Sequence, residues 1–328
     1  MTGGRVGQPP RMDGWQVVAD EHGLLRARDA AAAGLSRRDV AGLARAGQLL
    51  RVCRGWYCLA VAAAPPTEGE SPAERHRRRH ALLARAMIRE FSDRAVASHH
   101  SALVLDGLPT FGADLDRVHV TRTHDRFSRQ RPGLTVHEQV AGSTADEGVI
   151  EIPVAVVQTG VVNGPMASLI AADAALHRGL ASVGGLSRAL ALVAGPGVGR
   201  VRRILPFADG RSESPGETRT RHLLTMMGLP STPQVIIEDA GFHARVDLLL
   251  QDAPVVVEFD GFVKYAMLLG PGQRTPGEVV YAEKVREDRL RSLGYEVVRV
   301  TWSDLSQPAL LRRRMDSAIS RARGRRAA

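Results

Sequence analysis

The last third of the chain, about residues 212–305, shows a spacing of apolar residues that changes from helix-like to strand-like and back. The third predicted strand is almost wholly apolar, which is typical of a central strand that is covered on both faces. Gly228 and Gly294 end the two predicted helices. The pattern therefore predicts the order α-β-β-β-α-β, with elements at 217–227, 235–237, 244–250, 254–259, 281–293 and 296–302.

The N-terminal segment predicts three short helices followed by two strands. Gly34 and Leu35 form a tight turn, and Ser36 with Asp39 fits the capping pattern of a hydroxyl followed three residues later by an acid. Helix, turn, helix and then a hairpin make a winged helix-turn-helix. The predicted elements lie at 12–22, 26–33, 37–46, 49–52 and 56–59.

In a winged helix-turn-helix the helix after the turn enters the major groove of DNA. Its exposed residues would be Arg37, Arg38 and Arg45, while Arg51 and Arg54 on the hairpin suit contacts to phosphate. The alternative is a helical packing or dimerisation module whose arginines are merely solvated.

The middle segment, about 73–205, carries less information. Helices are predicted at 75–90, 97–105 and 165–177, and strands at 118–121 and 135–139. His99 and His100 are adjacent, whereas two metal ligands on one helix face would be four residues apart. We interpret both as structural or capping residues, with a role as metal ligands as the alternative.

Composition narrows the class of protein. A length of 328 residues suits two or three domains, and a hydrophobic content of 44% is enough to bury real cores. No apolar run reaches the ~18 residues that span a bilayer, and 1–10 lacks the apolar region of a secretion signal. Cys53 and Cys58 make neither a disulfide framework nor a zinc site. We expect a cytoplasmic protein with no membrane partner.

The chain is basic, with a formal net charge of +9. Such a surplus favours polyanionic partners, of which nucleic acid is the commonest, although an arginine-rich genome also produces basic proteins. Of the 44 basic residues only Lys264 and Lys284 are lysine, and both follow Glu258 in the sequence. Lysine is a compact charge with an adjustable pKa, whereas arginine is a fixed planar fork. Chance placement of the two lysines is the alternative.

Acidic residues interrupt the apolar strands of the C-terminal segment. Asp247 lies between Val246 and Leu248, and Glu258 and Asp260 share one face of the next strand. Buried carboxylates are unfavourable unless they are paired or bind a metal, and oxygen ligands suit Mg²⁺ or Mn²⁺. The sequence therefore predicts a metal site formed by Asp247, Glu258 and Asp260.

Three further residues are candidates for the same site. Lys264 or Lys284 could orient water or neutralise charge in the transition state. Glu217 could reach the metal, but Ser214 and Glu217 also form a capping box, which is a sufficient structural reason for that acid.

The N-terminal segment "GLLRARDAAAAGLSRRDVAGLARAGQLLRVCRGWYCLA" resembles the winged-helix domain of AbiEi-type antitoxins from type IV toxin–antitoxin systems. That resemblance covers about forty residues and implies a DNA-binding autoregulator. "ASHHSALVLDGLP" and "ADAALHRG" resemble the middle region of AbiEi-like proteins in actinobacteria. This resemblance implies an α/β linker domain without known chemistry of its own, which would position the two ends of the chain.

The C-terminal segment resembles the PD-(D/E)XK nuclease superfamily, and more closely its very-short-patch-repair endonuclease-like branch. The residues that carry the resemblance are "SPGETRTRHLL", "RVDLLL", "VVVEFDG", "KY" and "EKVREDRLRSLGYEVVRVTW". It implies a restriction-endonuclease-like core in which Asp247 is the main metal ligand, Glu258 the second acid and Glu217 the helix acid. Asp260 stands where the motif has lysine. Either Asp260 is an extra acid of the site, or the role of the motif's lysine is taken by Lys264 or Lys284.

The sequence thus predicts a multidomain α/β protein. The predicted parts are a winged helix-turn-helix at 1–62, a middle α/β domain at 73–205, a nuclease-like domain at 206–310 and a basic tail, helical or frayed, at 311–328. The first hypothesis is a protein that binds double-stranded DNA and hydrolyses its phosphodiester bonds with Mg²⁺ or Mn²⁺. The alternative is an antitoxin-like transcriptional regulator whose nuclease-like domain is inactive, and a third is a fusion of both roles. A cognate toxin or a second subunit is the further expected partner.

Overall fold

The computed structural model of the chain describes residues 19–60, 70–124, 126–261 and 276–327. The chain folds into two compact units, the first formed by residues up to 107 and 114–151, and the second by 108–113 and residues 152 onward. Helices and three sheets occur together, which confirms the expected multidomain α/β class. Residues of the predicted middle domain, 73–205, occur in both units, and the domain boundaries stay a prediction. Within the described ranges, every helix is too short or too polar to span a bilayer.

The first sheet of unit one has three antiparallel strands in the order β1-β3-β2. The sequence pattern does not predict strand β1. It predicts a helix at 12–22, but residues 19–22 form a turn. Residues 12–18 of that predicted helix lie outside the described ranges. The elements are β1 (Leu24–Arg26), α1 (Ala27–Ala32), α2 (Arg37–Arg45), β2 (Leu49–Cys53) and β3 (Trp56–Leu59).

Local chemistry explains where α2 begins. The Ser36 hydroxyl accepts a hydrogen bond from the Asp39 N–H, and the Asp39 carboxylate accepts one from the Ser36 N–H at 2.9 Å, so the predicted capping box is present. Those hydrogen bonds lower the pKa of the Asp39 carboxyl. Gly34 in the turn before α2 has φ +87°, a conformation that glycine adopts without steric strain.

The second sheet of unit one has six strands in the order β6-β7-β5-β4-β9-β8. Strand β4 of this sheet is fully buried and includes residue 97. The sequence pattern predicts that a helix starts at residue 97, but the helix begins at His99. The elements are α3 (Pro72–Phe91), β4 (Ala95–Ala97), α4 (His99–Leu105), β5 (Val118–Arg122), β6 (Arg129–Arg131), β7 (Leu134–His137), β8 (Ala145–Asp146) and β9 (Val149–Ile150).

Unit two begins with a group of four helices. Helix α5 is apolar on all sides and is buried over most of its length, as expected of a helix surrounded by protein. Gly160 allows the close approach of α6, because a Cβ at 160 would lie 2.5 Å from the Cβ of Ser168. The helices are α5 (Ile152–Asn163), α6 (Pro165–His177), α7 (Val183–Leu192) and α8 (Val198–Ile204).

The rest of unit two has the predicted element order α-β-β-β-α-β, followed by two helices. Its four strands lie in the order β10-β11-β12-β13, with β10, β11 and β12 antiparallel and β12 and β13 parallel. The last strand ends at Val300 and not at 302, because Thr301 begins the short helix α11. The elements are α9 (Pro215–Met226), β10 (Ser231–Asp239), β11 (Phe242–Leu250), β12 (Val255–Phe259), α10 (Pro276–Ser292), β13 (Glu296–Val300), α11 (Trp302–Leu305) and α12 (Pro308–Ala327).

Helices cover both faces of this sheet. Val255 and Val257 pack in a cluster with residues of α9 and α12, whereas Val256 packs with Leu290 of α10. Alternate residues of a strand point to opposite faces, so α10 lies on one side of β12 and α9 with α12 on the other. The basic C-terminal segment is therefore a helix with an apolar face in this core, where Leu311 is fully buried.

A buried ion pair joins α6 to α9 within unit two. The Arg221 guanidinium donates to Asp173 Oδ2 at 2.6 Å, and the side chains are only 8% and 1% exposed. Asp173 also accepts hydrogen bonds from Thr218 Oγ1 and the Asp209 N–H. Burial raises the pKa of the Asp173 carboxyl, although Arg221 and these hydrogen bonds act in the opposite direction.

We expect Arg221→Ala to destabilise the protein by about 3–5 kcal/mol, because it leaves a buried carboxylate uncompensated. Stability of the variant should fall as the pH rises above about 4, since a carboxyl whose folded-state pKa is raised favours folding only when protonated. Chemical denaturation followed by circular dichroism measures both effects.

The control is Arg211→Ala, which removes an exposed ion pair with Asp209 and should change stability by less than about 1 kcal/mol. The double variant Arg221→Ala, Asp173→Asn should regain part of the stability that Arg221→Ala alone loses. Equal effects of Arg221→Ala and Arg211→Ala would contradict a structural role for the buried pair.

Candidate functional site

All five arginines predicted to bind DNA lie in unit one with exposed side chains. Val40 and Leu43 are buried and fix the orientation of α2, which turns its arginines outward. Within the described part of the chain, no carboxylate forms an ion pair with any of the five. They are Arg37, Arg38 and Arg45 on α2, and Arg51 and Arg54 on the β2–β3 hairpin.

The hairpin that carries Arg51 and Arg54 has a fixed base. Trp56 is 4% exposed, and its indole N–H donates to Glu90 Oε2 of α3 at 3.2 Å. The same carboxylate oxygen pairs with the guanidinium of Arg26 at 2.5 Å. Because α3 holds the strand next to the tip, the arginines extend from a braced hairpin and not from an isolated loop.

The acids of the C-terminal sheet meet where β11 and β12 run side by side. Leu248 pairs with Val257, and continuing this antiparallel register places Asp247 opposite Glu258. Asp247 Oδ2 accepts the N–H of Phe259 at 2.9 Å. Asp260 follows β12, and its N–H donates to the Val300 carbonyl at 2.8 Å.

Glu258 is engaged by an arginine that sequence reasoning did not single out. The Arg286 guanidinium of α10 donates to both carboxylate oxygens, at 2.6 and 3.2 Å. It also donates to Glu283 Oε1 at 3.0 Å and to the Arg245 carbonyl at 2.9 Å. Burial lowers the pKa of Arg286, but the hydrogen bonds and charges of Glu258 and Glu283 outweigh it, so the net pKa is raised.

Neither predicted lysine is seen to complete this site. Lys284 lies on α10 with an exposed side chain, and Lys264 lies outside the described residues. On the same helix, Glu283 and Glu287 bind the guanidinium of Arg299 at 2.8 and 3.0 Å. Among the described residues, arginines therefore pair with Glu258, Glu283 and Glu287 in this region.

Glu217 has a structural environment. It is 3% exposed, and its carboxylate accepts hydrogen bonds from the Ser214 hydroxyl at 2.8 Å, from the Glu213 N–H at 3.0 Å and from the Gln234 amide at 2.9 Å. Ser214 in turn accepts from the Glu217 N–H, which caps α9. Protein groups thus satisfy both carboxylate oxygens without a metal ion.

This arrangement does not fit a divalent cation as it stands. A guanidinium occupies the position beside Glu258 that a cation would need, and both oxygens of Glu217 are already bonded. Mg²⁺ or Mn²⁺ could bind Asp247, Glu258 and Asp260 only after Arg286 had moved, so the predicted metal and catalytic roles stay predictions. Among the described residues, the side chains close enough together to hold one ion are His99, His119 and His137 in unit one.

The sequence did not reveal these histidines as a group. His99 and His100 are buried at the start of α4, and only His99 belongs to this group. His119 and His137 lie in neighbouring parallel strands, β5 and β7, eighteen residues apart in the chain. The sequence places one histidine in each of two predicted strands. It does not show that these strands are neighbours in the sheet, which is what places the two histidines side by side.

Comparisons with known proteins identify a family for the N-terminal segment and uncharacterized relatives for much of the chain. Residues 16–60, which include the five exposed arginines, match a family described as "Transcriptional regulator, AbiEi antitoxin". Two uncharacterized proteins of Mycobacterium tuberculosis, one from strain CDC 1551 / Oshkosh and one from strain H37Rv, are each 28% identical to the chain over 240 residues. The alignments cover 70% of this chain and 84% of each relative. The N-terminal segment is therefore similar to the AbiEi antitoxin regulators.

Proposed function

We propose that this protein is a DNA-binding transcriptional regulator of the AbiEi antitoxin type, with a C-terminal nuclease-like domain that does not cleave DNA. The observation that carries the proposal is the set of five exposed arginines on α2 and its hairpin, inside the segment that matches the antitoxin family. In this proposal α1, α2 and the β2–β3 hairpin act as a winged helix-turn-helix.

The geometry of α2 supports insertion into the major groove. At about 100° per residue, Arg37, Arg45 and Arg38 point within roughly 100° of one another. Val40 and Leu43 point into the core, and the middle of their arc lies roughly 150° from the middle of the arginine arc. A basic face opposite an apolar face lets the helix rest on its own domain while it contacts DNA.

The hairpin arginines suit a different kind of contact. Arg51 lies on β2 and Arg54 in the turn that follows it, and both have exposed side chains. Guanidinium groups bind phosphate oxygens through paired hydrogen bonds, which fix the position of a protein on the duplex without reading its sequence. We therefore assign base-edge contacts to α2 and phosphate contacts to the hairpin.

The C-terminal acids support the absence of cleavage in this proposal. Retained carboxylates in a nuclease-like core would favour catalysis if they lacked other partners, because unpaired buried acids destabilise a fold. Here Arg286 pairs with Glu258, and Ser214 and Gln234 bind Glu217. Their retention is explained by folding, and the place of the motif's lysine is taken by Asp260. A cognate toxin or a second copy of the chain is the partner that this domain would serve.

A metal-dependent endonuclease is the second candidate. The observation in its favour is that Asp247 lies opposite Glu258 in a sheet with the element order of the nuclease superfamily, and that Asp260 follows on the same strand. For this candidate the Arg286 side chain must release Glu258 before Mg²⁺ or Mn²⁺ can bind. The two candidates thus differ in what happens when Arg286 is removed.

We expect the double substitution Arg37→Ala, Arg38→Ala to weaken duplex binding about tenfold or more. The slope of log affinity against log salt concentration should become shallower by about one to two, because each lost phosphate contact reduces the magnitude of this slope by about one. Fluorescence anisotropy with a duplex from upstream of the protein's own coding region measures both, and a scrambled duplex of equal length reports specificity.

The matched control is Arg202→Ala, Arg203→Ala, which removes the same charge from exposed positions on α8. It should leave affinity and salt slope close to those of the natural protein. If the two double variants lost equal affinity, binding would reflect net charge alone and the proposed interface would be wrong.

We expect supercoiled plasmid to stay intact with the natural protein and with Arg286→Ala, in Mg²⁺, in Mn²⁺ and in EDTA. Removing Arg286 takes away the cation that pairs with Glu258. If the domain can bind a metal ion and cleave DNA, this is the variant in which cleavage should be detected. Arg289→Ala on the same helix, which breaks an exposed ion pair with Asp239, controls for damage to α10. Metal-dependent nicking that disappears in Asp247→Ala would overturn the regulator proposal in favour of the nuclease.

A further inference from the structure

Five histidines lie together in unit one, where α3, α4, β5 and β7 meet. Four of them are almost completely buried, with exposed fractions between 0% and 4%. Adjacent ring centroids lie 3.9–5.4 Å apart. The five are His80, His99, His100, His119 and His137.

Two of the five lie within hydrogen-bond distance of main-chain carbonyls. His80 lies between the Leu115 carbonyl, 2.7 Å from Nδ1, and the Ser101 hydroxyl, 2.9 Å from Nε2. Nε2 of His100 lies 3.1 Å from the Arg117 carbonyl, to which it can donate. Main-chain carbonyls accept the protons of these two rings, so both act as buried hydrogen-bonding residues.

The other three face one another. Nδ1 of His119 and Nε2 of His137 lie 2.9 Å apart. The ring of His99 stacks on that of His137, with a centroid distance of 3.9 Å. One nitrogen from each of the three rings lies within 4.8 Å of the others, and a metal ion between them would replace the proton shared by His119 and His137.

We propose that His99, His119 and His137 form a binding site for a divalent transition-metal ion, with Zn²⁺ as the probe of choice. Neutral imidazole is a good ligand for zinc, copper, iron and nickel, whereas Mg²⁺ and Ca²⁺ require oxygen ligands. The site is separate from the acids of the C-terminal sheet and does not rest on the proposed regulatory function.

The distances suit such an ion. Zn²⁺ binds imidazole nitrogen at about 2.0–2.1 Å, so two ligands of a tetrahedral site lie about 3.3 Å apart. The pair formed by His119 and His137 would open by only about 0.4 Å to accept the ion. Three histidines leave the fourth position of the tetrahedron for water or an incoming ligand.

The residue before the site supports its assignment. Ser98 is the N-cap of α4, yet its hydroxyl makes no capping hydrogen bond and instead lies 2.9 Å from Nδ1 of His99. A partner on the second nitrogen fixes the orientation of a metal-binding histidine. His99 also has φ +52°, an uncommon conformation outside glycine, and strain of this kind concentrates at functional sites.

The test uses the full-length protein, stripped with EDTA and desalted. It is titrated with Zn²⁺ against a chromophoric chelator, and with Co²⁺, whose visible absorption reports tetrahedral coordination. We expect one tight equivalent of metal per chain. Loss of a residue that hydrogen-bonds to a metal ligand typically weakens metal binding by roughly 10–100-fold, so we expect about a tenfold loss for Ser98→Ala. His119→Ala and His137→Ala each remove a ligand itself and should weaken metal binding by more than that.

The control is His124→Ala, an exposed histidine near the end of β5, which should bind metal like the natural protein. Circular dichroism checks that each variant is folded, and His137→Ala is the variant least prone to unfold because its ring is only half-buried. No tight equivalent of metal in the natural protein, or unchanged affinity in folded His137→Ala, would overturn the proposal and leave the three rings as a purely structural cluster.

Discussion

The pairing of Glu258 with Arg286 decides how the C-terminal fold can be used. Two hydrogen bonds hold the carboxylate at the end of β12 to α10, and the same guanidinium reaches the Arg245 carbonyl of β11. A charge at the end of an apolar strand needs such a partner or a metal ion. Here the partner of Glu258 is a cation supplied by the protein itself, which is the basis for proposing that this edge of the sheet does not cleave DNA. The exposed arginines of unit one therefore carry the proposed contact with DNA.

The same physical solution recurs elsewhere in the chain. Asp173 pairs with Arg221, and Glu296, which is 1% exposed, pairs with Arg321 and Arg325 of the C-terminal helix. A planar guanidinium can satisfy both carboxylate oxygens at once, which a lysine ammonium cannot do as well. Part of the arginine content is thus used inside unit two, and the net charge of +9 alone says little about DNA. The arginines on α2 and its hairpin differ because no described acid forms an ion pair with them.

Sequence patterns predicted elements with strong local signals and missed those that depend on distant residues. Helix α6 (Pro165–His177) has the predicted bounds, and the C-terminal order followed from apolar runs and glycine stops. The two-residue strands β8 and β9 and the three-residue β4 are too short to produce a periodic pattern. The partner of Glu258 lies 28 residues away on another element, and the histidine cluster draws on four elements. Such contacts arise from the order of strands in a sheet, which local spacing does not encode.

Photo-crosslinking of the full-length protein to an upstream duplex that contains 5-bromodeoxyuridine tests the central claim most directly. Digestion and mass spectrometry then identify the peptides attached to DNA. The proposed mode of binding predicts crosslinks within residues 37–54, on α2 and its hairpin, with or without a metal ion. Crosslinks confined to the C-terminal sheet around Asp247 and Glu258 would contradict it and place the DNA at the nuclease-like domain.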